Sequence, residues 1–337
     1  MLTYNQQRDT QNKILQDTHN SKGEKIMLKN QNFGVEIEFT GITRKEAAHI
    51  VAEYFNTRES RPSSGCYHTQ EIRDSKSRYW KIMRDSSINP EVSAKADPEY
   101  HGCYDDYRCE LVTPILQYED IEDLQQIVRN IRKAGAKVNS SCGIHVHVDG
   151  ANHTPKSLRN LMEFMVARQD LVNDSLANAY RARWCKPICK DLLKAVKAEK
   201  DLTKEKLEKI WYSEVNDHYY GGINHTHYND TRYHGLNLHA FFSKGTVEFR
   251  LFNGTLHAGK IKAYVQFCLA VSAWAITATK PVNFRSMDGY TPEKKVTIMI
   301  NVLRNRLGLT GDEFKTCRQH MLAILKKNAG RSTRIAA

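Results

Sequence analysis

The sequence predicts an α+β protein built on an antiparallel or mixed sheet. Two observations carry this. Strand-like and helix-like segments are intermixed along the 337 residues, and in places the strands pair through tight turns rather than helical crossovers. Three short apolar runs also each carry two polar residues spaced two apart: Phe33-Gly34-Val35-Glu36-Ile37-Glu38-Phe39, Gly143-Ile144-His145-Val146-His147-Val148, and Thr246-Val247-Glu248-Phe249-Arg250-Leu251-Phe252. In a strand, residues two apart share a face. Each run therefore sets its polar pair on one face and its Val, Ile, Leu or Phe on the other.

The elements follow in order. Residues 1 to about 30 are rich in Gln, Asn, Lys and Asp with weak periodicity, and read as a mobile arm. After the first Glu strand, Thr43 caps a helix starting near Arg44, with Ala47, Ala48, Ile50, Val51, Tyr54 and Phe55 at helical spacing. Arg61-Pro62-Ser63-Ser64-Gly65 breaks the chain. Short strands are expected at Tyr79–Met83 and Cys109–Thr113, with a corner at Asp85-Ser86-Ser87 between them. Ile121 to Ala134 is an amphipathic helix stopped by Gly135. Beyond the His-Val-His strand, Thr154-Pro155 opens another helix. A Lys-rich helical stretch spans about 188 to 210. The segment from Tyr219 to Asp230, with its Tyr, His, Asn and Gly, has the chemistry of a loop that lids a site. Leu236 to Phe241 reads as a strand, Gly245 as a turn, and Thr246 to Phe252 as the antiparallel partner. A long apolar helix over about 259 to 278 and two further helices complete the chain.

Composition narrows the function. Hydrophobic content of 40% and charged content of 26% are those of a soluble globular protein. No apolar run approaches the roughly 20 residues that cross a bilayer. The polar N-terminus lacks the apolar core of a secretory signal, so a cytoplasmic location without membrane attachment is expected. The eight cysteines form no disulfide framework. Cys185 and Cys189, four apart in a helix-like stretch, and Cys103 and Cys109, flanking a turn, lack zinc-knuckle spacing, so reduced thiols are expected. Cys142, directly before the His-Val-His run, reads as a small residue at a strand entrance rather than a nucleophile. The net charge is +12, and from Lys280 onward 12 Lys/Arg stand against 4 Asp/Glu. That excess suits a solvated helical face, or guidance of an acidic substrate. With no Arg-rich tract, zinc finger or RNA-recognition signature, a nucleic-acid-binding module is the disfavoured reading.

If the three runs share a sheet, one face carries Glu36, Glu38, His145, His147, Glu248 and Arg250. Two carboxylates on one strand face repel unless a cation or basic group lies between them. A carboxylate-dominated set suits Mg²⁺ or Mn²⁺, whereas two imidazoles on one ion would suit zinc. One histidine is therefore expected on a metal and the other on a nucleotide phosphate. Glu248 would sit on a cation while Arg250 grips a phosphoryl group bidentately. Glu110 and Asp85, at strand ends, extend the set.

With Trp80 to Ser87, Glu110 to Pro114, Arg232-Tyr233, Leu236-Asn237-Leu238 and Gly254-Thr255-Leu256, these motifs resemble the amidoligase family. That family is a branch of the glutamine synthetase and glutamate-cysteine ligase superfamily, and the resemblance covers about residues 33 to 275. It implies a curved, mainly antiparallel sheet with helices on its back and a concave face binding ATP with Mg²⁺ or Mn²⁺. By that analogy Glu36, Glu38, Glu110, Glu248 and His145 (or His147) resemble metal ligands. Arg250 and Arg232 resemble phosphoryl clamps, Asp85 belongs with the catalytic set, and Asn237 lies with the nucleotide-binding residues. The implied reaction turns a carboxylate and ATP into an acyl phosphate, which an amine (an amino acid, a peptide or another small molecule) attacks to give an amide. A metal-dependent hydrolase using the same Glu/His cluster is the rival. The implied organisation is an arm over 1–30, a catalytic domain over 31–280 with an excursion at about 181–230, and basic helices over 281–337 packed on it. The superfamily's rings and dimers make a homo-oligomer an open expectation.

Overall fold

The structure is a computed structural model that describes residues 27–93, 104–178, 184–213, 223–226, 229–280, 282 and 287–335. Of the arm expected over 1–30, residues 1–26 lie outside the described residues, as do Cys103 and positions 219–222, 227 and 228 of the Tyr/His loop, while residues 27–29 form a helical turn with Leu28 buried.

In chain order the first half contains β1 (Phe33–Phe39), α1 (Arg44–Tyr54), β2 (Gln70–Arg73), β3 (Tyr79–Met83), β4 (Cys109–Val112), α2 (Ile121–Lys133) and β5 (Gly143–Asp149). Next come α3 (Pro155–Leu176), α4 (Lys190–Ala198), α5 (Lys204–Tyr212), β6 (Leu236–Asn237), α6 (His239–Lys244), β7 (Thr246–Asn253) and α7 (Ala258–Thr277). The last are α8 (Pro292–Asn301) and α9 (Lys315–Ile335), with a π-helical turn at Val302–Arg306 between them. The strands form one unclosed sheet in the order β2-β3-β4-β1-β5-β7-β6. Every neighbouring pair is antiparallel. This is the α+β architecture expected, and it puts the two Glu/His strands at the centre.

Alternation in β1 explains why it lies there. Phe33, Val35, Ile37 and Phe39 are all buried, each worth roughly 1.5–3 kcal/mol as apolar surface removed from water. Leu111, Ile144, Val146, Val148, Val247 and Phe249 continue that apolar face across β4, β5 and β7. Helices cover it. Helix α7 is apolar nearly all round because it lies between the sheet and other helices, packing on β5, α2, α3 and α9. Phe252 of β7 stacks on Tyr264 of α7 with ring centroids 4.2 Å apart. Helix α1 closes the β2–β3 end of the same face.

The helix starts are capped as their sequences dictate. Thr43 and Glu46 form a reciprocal capping box at α1, and Thr154 accepts from Ser157 N ahead of Pro155 at α3. Three expectations need correction. Leu236–Phe241 is not one strand: pairing stops at Asn237, and His239 begins a short helix that ends at Gly245 in the left-handed region (φ 78°). The Lys-rich stretch is two short helices, each with its own N-cap (Cys189 and Thr203), rather than one. Cys189 is therefore extended, not helical. Strand β2 gave no clear sequence signal, since two of its four residues, Glu71 and Arg73, are charged.

Among the described residues the cysteines are free thiols. Cys142 is buried against Gly254, where an added Cβ would lie 2.7 Å from the Cys142 Cβ. Glycine is what lets β7 end against the start of β5. No helix among the described residues is long and apolar enough to cross a membrane.

Candidate active site

The register sets the polar pairs side by side on the face opposite the helices. Glu38 stands across from Glu110, Glu36 across from His145, His147 across from Glu248, and Glu248 across from Asn237. Five strands thus contribute to one patch. Glu38, Glu110, His145, Asn237, Glu248 and Arg250 are buried, and Glu36 is the more open carboxylate.

The contacts are close. His145 Nδ1 lies 2.8 Å from Glu36 Oε2, and its Nε2 lies 3.6 Å from Glu38 Oε1. His147 Nε2 lies 3.1 Å from Glu36 Oε1 and 3.9 Å from Glu248 Oε1. Arg250 donates from a terminal guanidinium nitrogen to Glu248 Oε1 at 2.7 Å, while Asn237 Nδ2 donates to Glu248 Oε2 at 2.6 Å. The backbone N–H of Gly143 donates to Glu38 Oε2 at 2.5 Å. Asp85 follows β3 in a corner closed by the Ser87 N–H, which donates to its Oδ1 at 2.7 Å.

A β-bulge tunes this geometry. Val146 pairs with Phe249 but Ile144 pairs with Phe252, so Arg250 and Leu251 together stand opposite the single His145. One extra residue in β7 re-aims the strand beside the charged cluster, as bulges near functional sites do. Strict alternation cannot reveal it.

Charge partition follows from these contacts. Burial pushes the Glu36 carboxyl up, but the charge of the close His147 ring and the His145 hydrogen bond outweigh it and hold Glu36 well below the usual range. Burial raises Glu248 likewise, and Arg250 with the two histidines overcomes it, bringing Glu248 down to about 2. Glu110 goes the other way. Burial, then the charges of Glu36, Glu38 and Asp85, drive it well above the carboxylate range, with Arg250 only a partial offset. Burial opposes a charge on His147, yet Glu36 and Glu248 win and raise it.

Ligand-type atoms converge in three overlapping sets, each within 4.8 Å: Glu36–His147–Glu248, Glu36–Glu110–His145, and Glu38–Asp85–Glu110. The buried Nε2 atoms of His145 and His147 make no hydrogen bond, nor does Nε of Arg250. Imidazole nitrogens without a hydrogen bond beside crowded carboxylates are what a resident cation would satisfy, and an anion would satisfy the Arg250 N–H.

A family model described as "putative amidoligase enzyme" matches residues 29–272. The chain belongs to this amidoligase family. It is therefore an enzyme of the ligase kind, and its substrates are molecules to be joined. No curated protein matches the chain. The amidoligase match includes every strand of the sheet and ends within α7, leaving α8 and α9 outside it.

Other expected residues stand further out. Arg232 closes a 3-10 turn (Asp230–Arg232), with its guanidinium carbon 5.5 Å from the centre of the Tyr233 ring. Its charge is felt at His239, which burial, then Arg232 and His225, bring down to about 4. Tyr212 of α5 shares a 2.7 Å hydrogen bond with His239 Nδ1, and Glu208 one of 2.5 Å with His225. Sequence reasoning missed this Tyr212–His239 pair because 27 residues separate the partners. It also missed Thr246, whose Oγ1 lies 3.1 Å from His147 Nδ1; the period of two from Glu248 would have found it.

Proposed function

We propose that this amidoligase is an ATP-dependent carboxylate-amine ligase that works through an acyl phosphate. The observation that supports this most is the gathering of four carboxylates, two imidazoles and one guanidinium on a single sheet face. Glu36, Glu38, Glu110 and Glu248, with His145 and with Asp85 at the edge, would hold Mg²⁺ or Mn²⁺, whose hard-oxygen preference the set matches. Such ions supply neutralisation of polyphosphate charge. His147 would contact nucleotide phosphate.

The chain's own groups do the rest. Arg250, braced by Glu248, presents remaining guanidinium donors to a transferring phosphoryl group. Asn237 fixes the far oxygen of Glu248, so this carboxylate is held from both sides. Arg232 is a second candidate for phosphoryl contact. In the reaction a substrate carboxylate oxygen bonds to the γ-phosphorus as the bond to ADP breaks. An amine then attacks the acyl carbon, phosphate leaves, and the amine gives up a proton. A carboxylate is a poor acyl donor until this exchange is made, and positioning with charge neutralisation supplies most of the catalysis.

The reading places a catalytic unit over 31–280, its excursion at about 181–230 choosing substrates, and α8 and α9 as additions to it. It also places the enzyme in the cytoplasm, where ATP is available. Incubation with ATP, Mg²⁺ or Mn²⁺ and panels of amino acids and peptides tests it. ADP should appear only when both an amine and a carboxylate are supplied. Amide cleavage without nucleotide would replace the ligase with a hydrolase on the same residues.

A further inference from the structure

A second polar site lies on the helical side of the sheet, across the molecule's core from the carboxylates. There a cleft of about 400 Å³ is lined by Arg168 of α3, Trp274 of α7, Ile298 and Asn301 of α8, and Asn305 and Arg306 of the π turn. That volume is in the range of small-molecule sites. The charged side chains lining it are both guanidiniums, and none of its lining residues is acidic.

Arg306 is the key group. It is half-buried, with its guanidinium carbon 5.5 Å from the centre of the Trp274 ring. Burial lowers its pKa, the sign of a cation stripped of water without an acid to compensate. The acid of α3 that approaches α8, Asp174, is already committed to Lys295 at 2.7 Å. Backbone geometry adds an independent observation. Leu307 N–H donates to Val302 O at 2.9 Å, a five-residue spacing, so α8 ends in a π turn that carries Arg306. A π turn is one of the ways a helix ends, and here it sets Arg306 beside Trp274 at the cleft. The surrounding chain is basic, with 12 Lys/Arg against 4 Asp/Glu from Lys280 onward, which draws anions toward the cleft.

We propose that this cleft binds a phosphate group, free or carried by a nucleotide or small phosphorylated metabolite, through Arg306 and Arg168, with the amides of Asn301 and Asn305 at its rim. Arg306 lies beyond residue 272, where the amidoligase match ends, and the cleft shares no residue with the carboxylate face.

Calorimetric titration in EDTA, which leaves the carboxylate face without a cation, tests it with inorganic phosphate and ADP as probes. Wild type should bind at least one of them saturably. Arg306→Gln should weaken that binding about tenfold or more, the value of a lost charge-assisted pair. Arg306→Lys, which keeps charge but loses the planar fork, should fall between. The exposed-residue control Lys294→Gln should bind as wild type does. ADP binding tighter than phosphate identifies a nucleotide; equal binding identifies phosphate alone. Should Arg306→Gln not fold, the exposed rim variant Asn305→Asp decides, since its added negative charge should weaken the anion. The proposal is overturned if wild type binds neither probe saturably, or if Lys294→Gln loses as much affinity as Arg306→Gln.

Discussion

Two isosteric substitutions in the carboxylate cluster should change the stability of the metal-free protein in opposite directions. Glu110 is buried beside three other acids whose ligand atoms come within 4.8 Å of its own. At an effective dielectric of 20, two unit charges at that distance repel by about 3.5 kcal/mol. The folded protein avoids this by holding a proton on Glu110, whose pKa rises well above the ordinary 4.5. Its unfolded counterpart ionises freely. The sign is that of an acid with a raised folded pKa: stability falls as pH climbs above 4.5. At pH 7 the loss is bounded by 2.5 pH units, or about 3 kcal/mol. Glu110→Gln removes this cost and should stabilise the EDTA-treated protein by about 1–3 kcal/mol at pH 7, with no gain near pH 4.5. Glu248 is the opposite case, because its carboxylate neutralises buried Arg250 at 2.7 Å. Glu248→Gln leaves that guanidinium short of an anion and should cost about 2–4 kcal/mol. Urea unfolding in EDTA, followed by far-UV circular dichroism and Trp fluorescence, measures both. Shifts of the same sign in the two variants would refute the partition of charge described for this face.

Added Mn²⁺ or Mg²⁺ should reverse the order. Wild type should gain about 2.7 kcal/mol at a hundredfold excess over Kd, while Glu36→Gln and Glu38→Gln show no such gain in thermal shift. Arg250→Lys keeps a cation beside Glu248 but loses the fork, so ADP release with competent substrates should fall about a hundredfold or more while the protein stays folded; near-normal turnover would remove Arg250 from the reaction. Glu248→Gln should likewise lose turnover despite remaining folded. Away from the site, His153 lies buried between Ser157 Oγ at 3.0 Å and Ser272 Oγ at 2.9 Å, and burial lowers its pKa from 6.5 to about 4. Its contribution is intact above pH 6.5 and is lost as pH falls toward 4, about 3 kcal/mol in all. In His153→Gln, stability against pH should be flatter over that window.

What the sequence could and could not reveal divides along a physical line. Period-two alternation gave β1, β5 and β7 and their polar faces because one face of each is buried under helices, and burial on one side leaves its mark residue by residue. Caps at Thr43 and Thr154 were legible for the same local reason. Which strands adjoin is a long-range matter: nothing near Glu110 says that it pairs with Glu38, 72 residues earlier, rather than with a histidine. The motif order that signals the amidoligase family bridged this gap by association, whereas the register supplies the cause. Nor could alternation see the β7 bulge, since one inserted residue preserves composition while changing which side chains share a face. Yet the bulge lies opposite His145 and within the pair that braces Glu248. Local departure from the repeating pattern thus coincides with the site, and at Arg306 a π turn ends α8 beside an arginine-lined cleft. At the β7 bulge regular pairing is given up beside the side chains that must be aimed, a departure that packing of the apolar face alone does not call for.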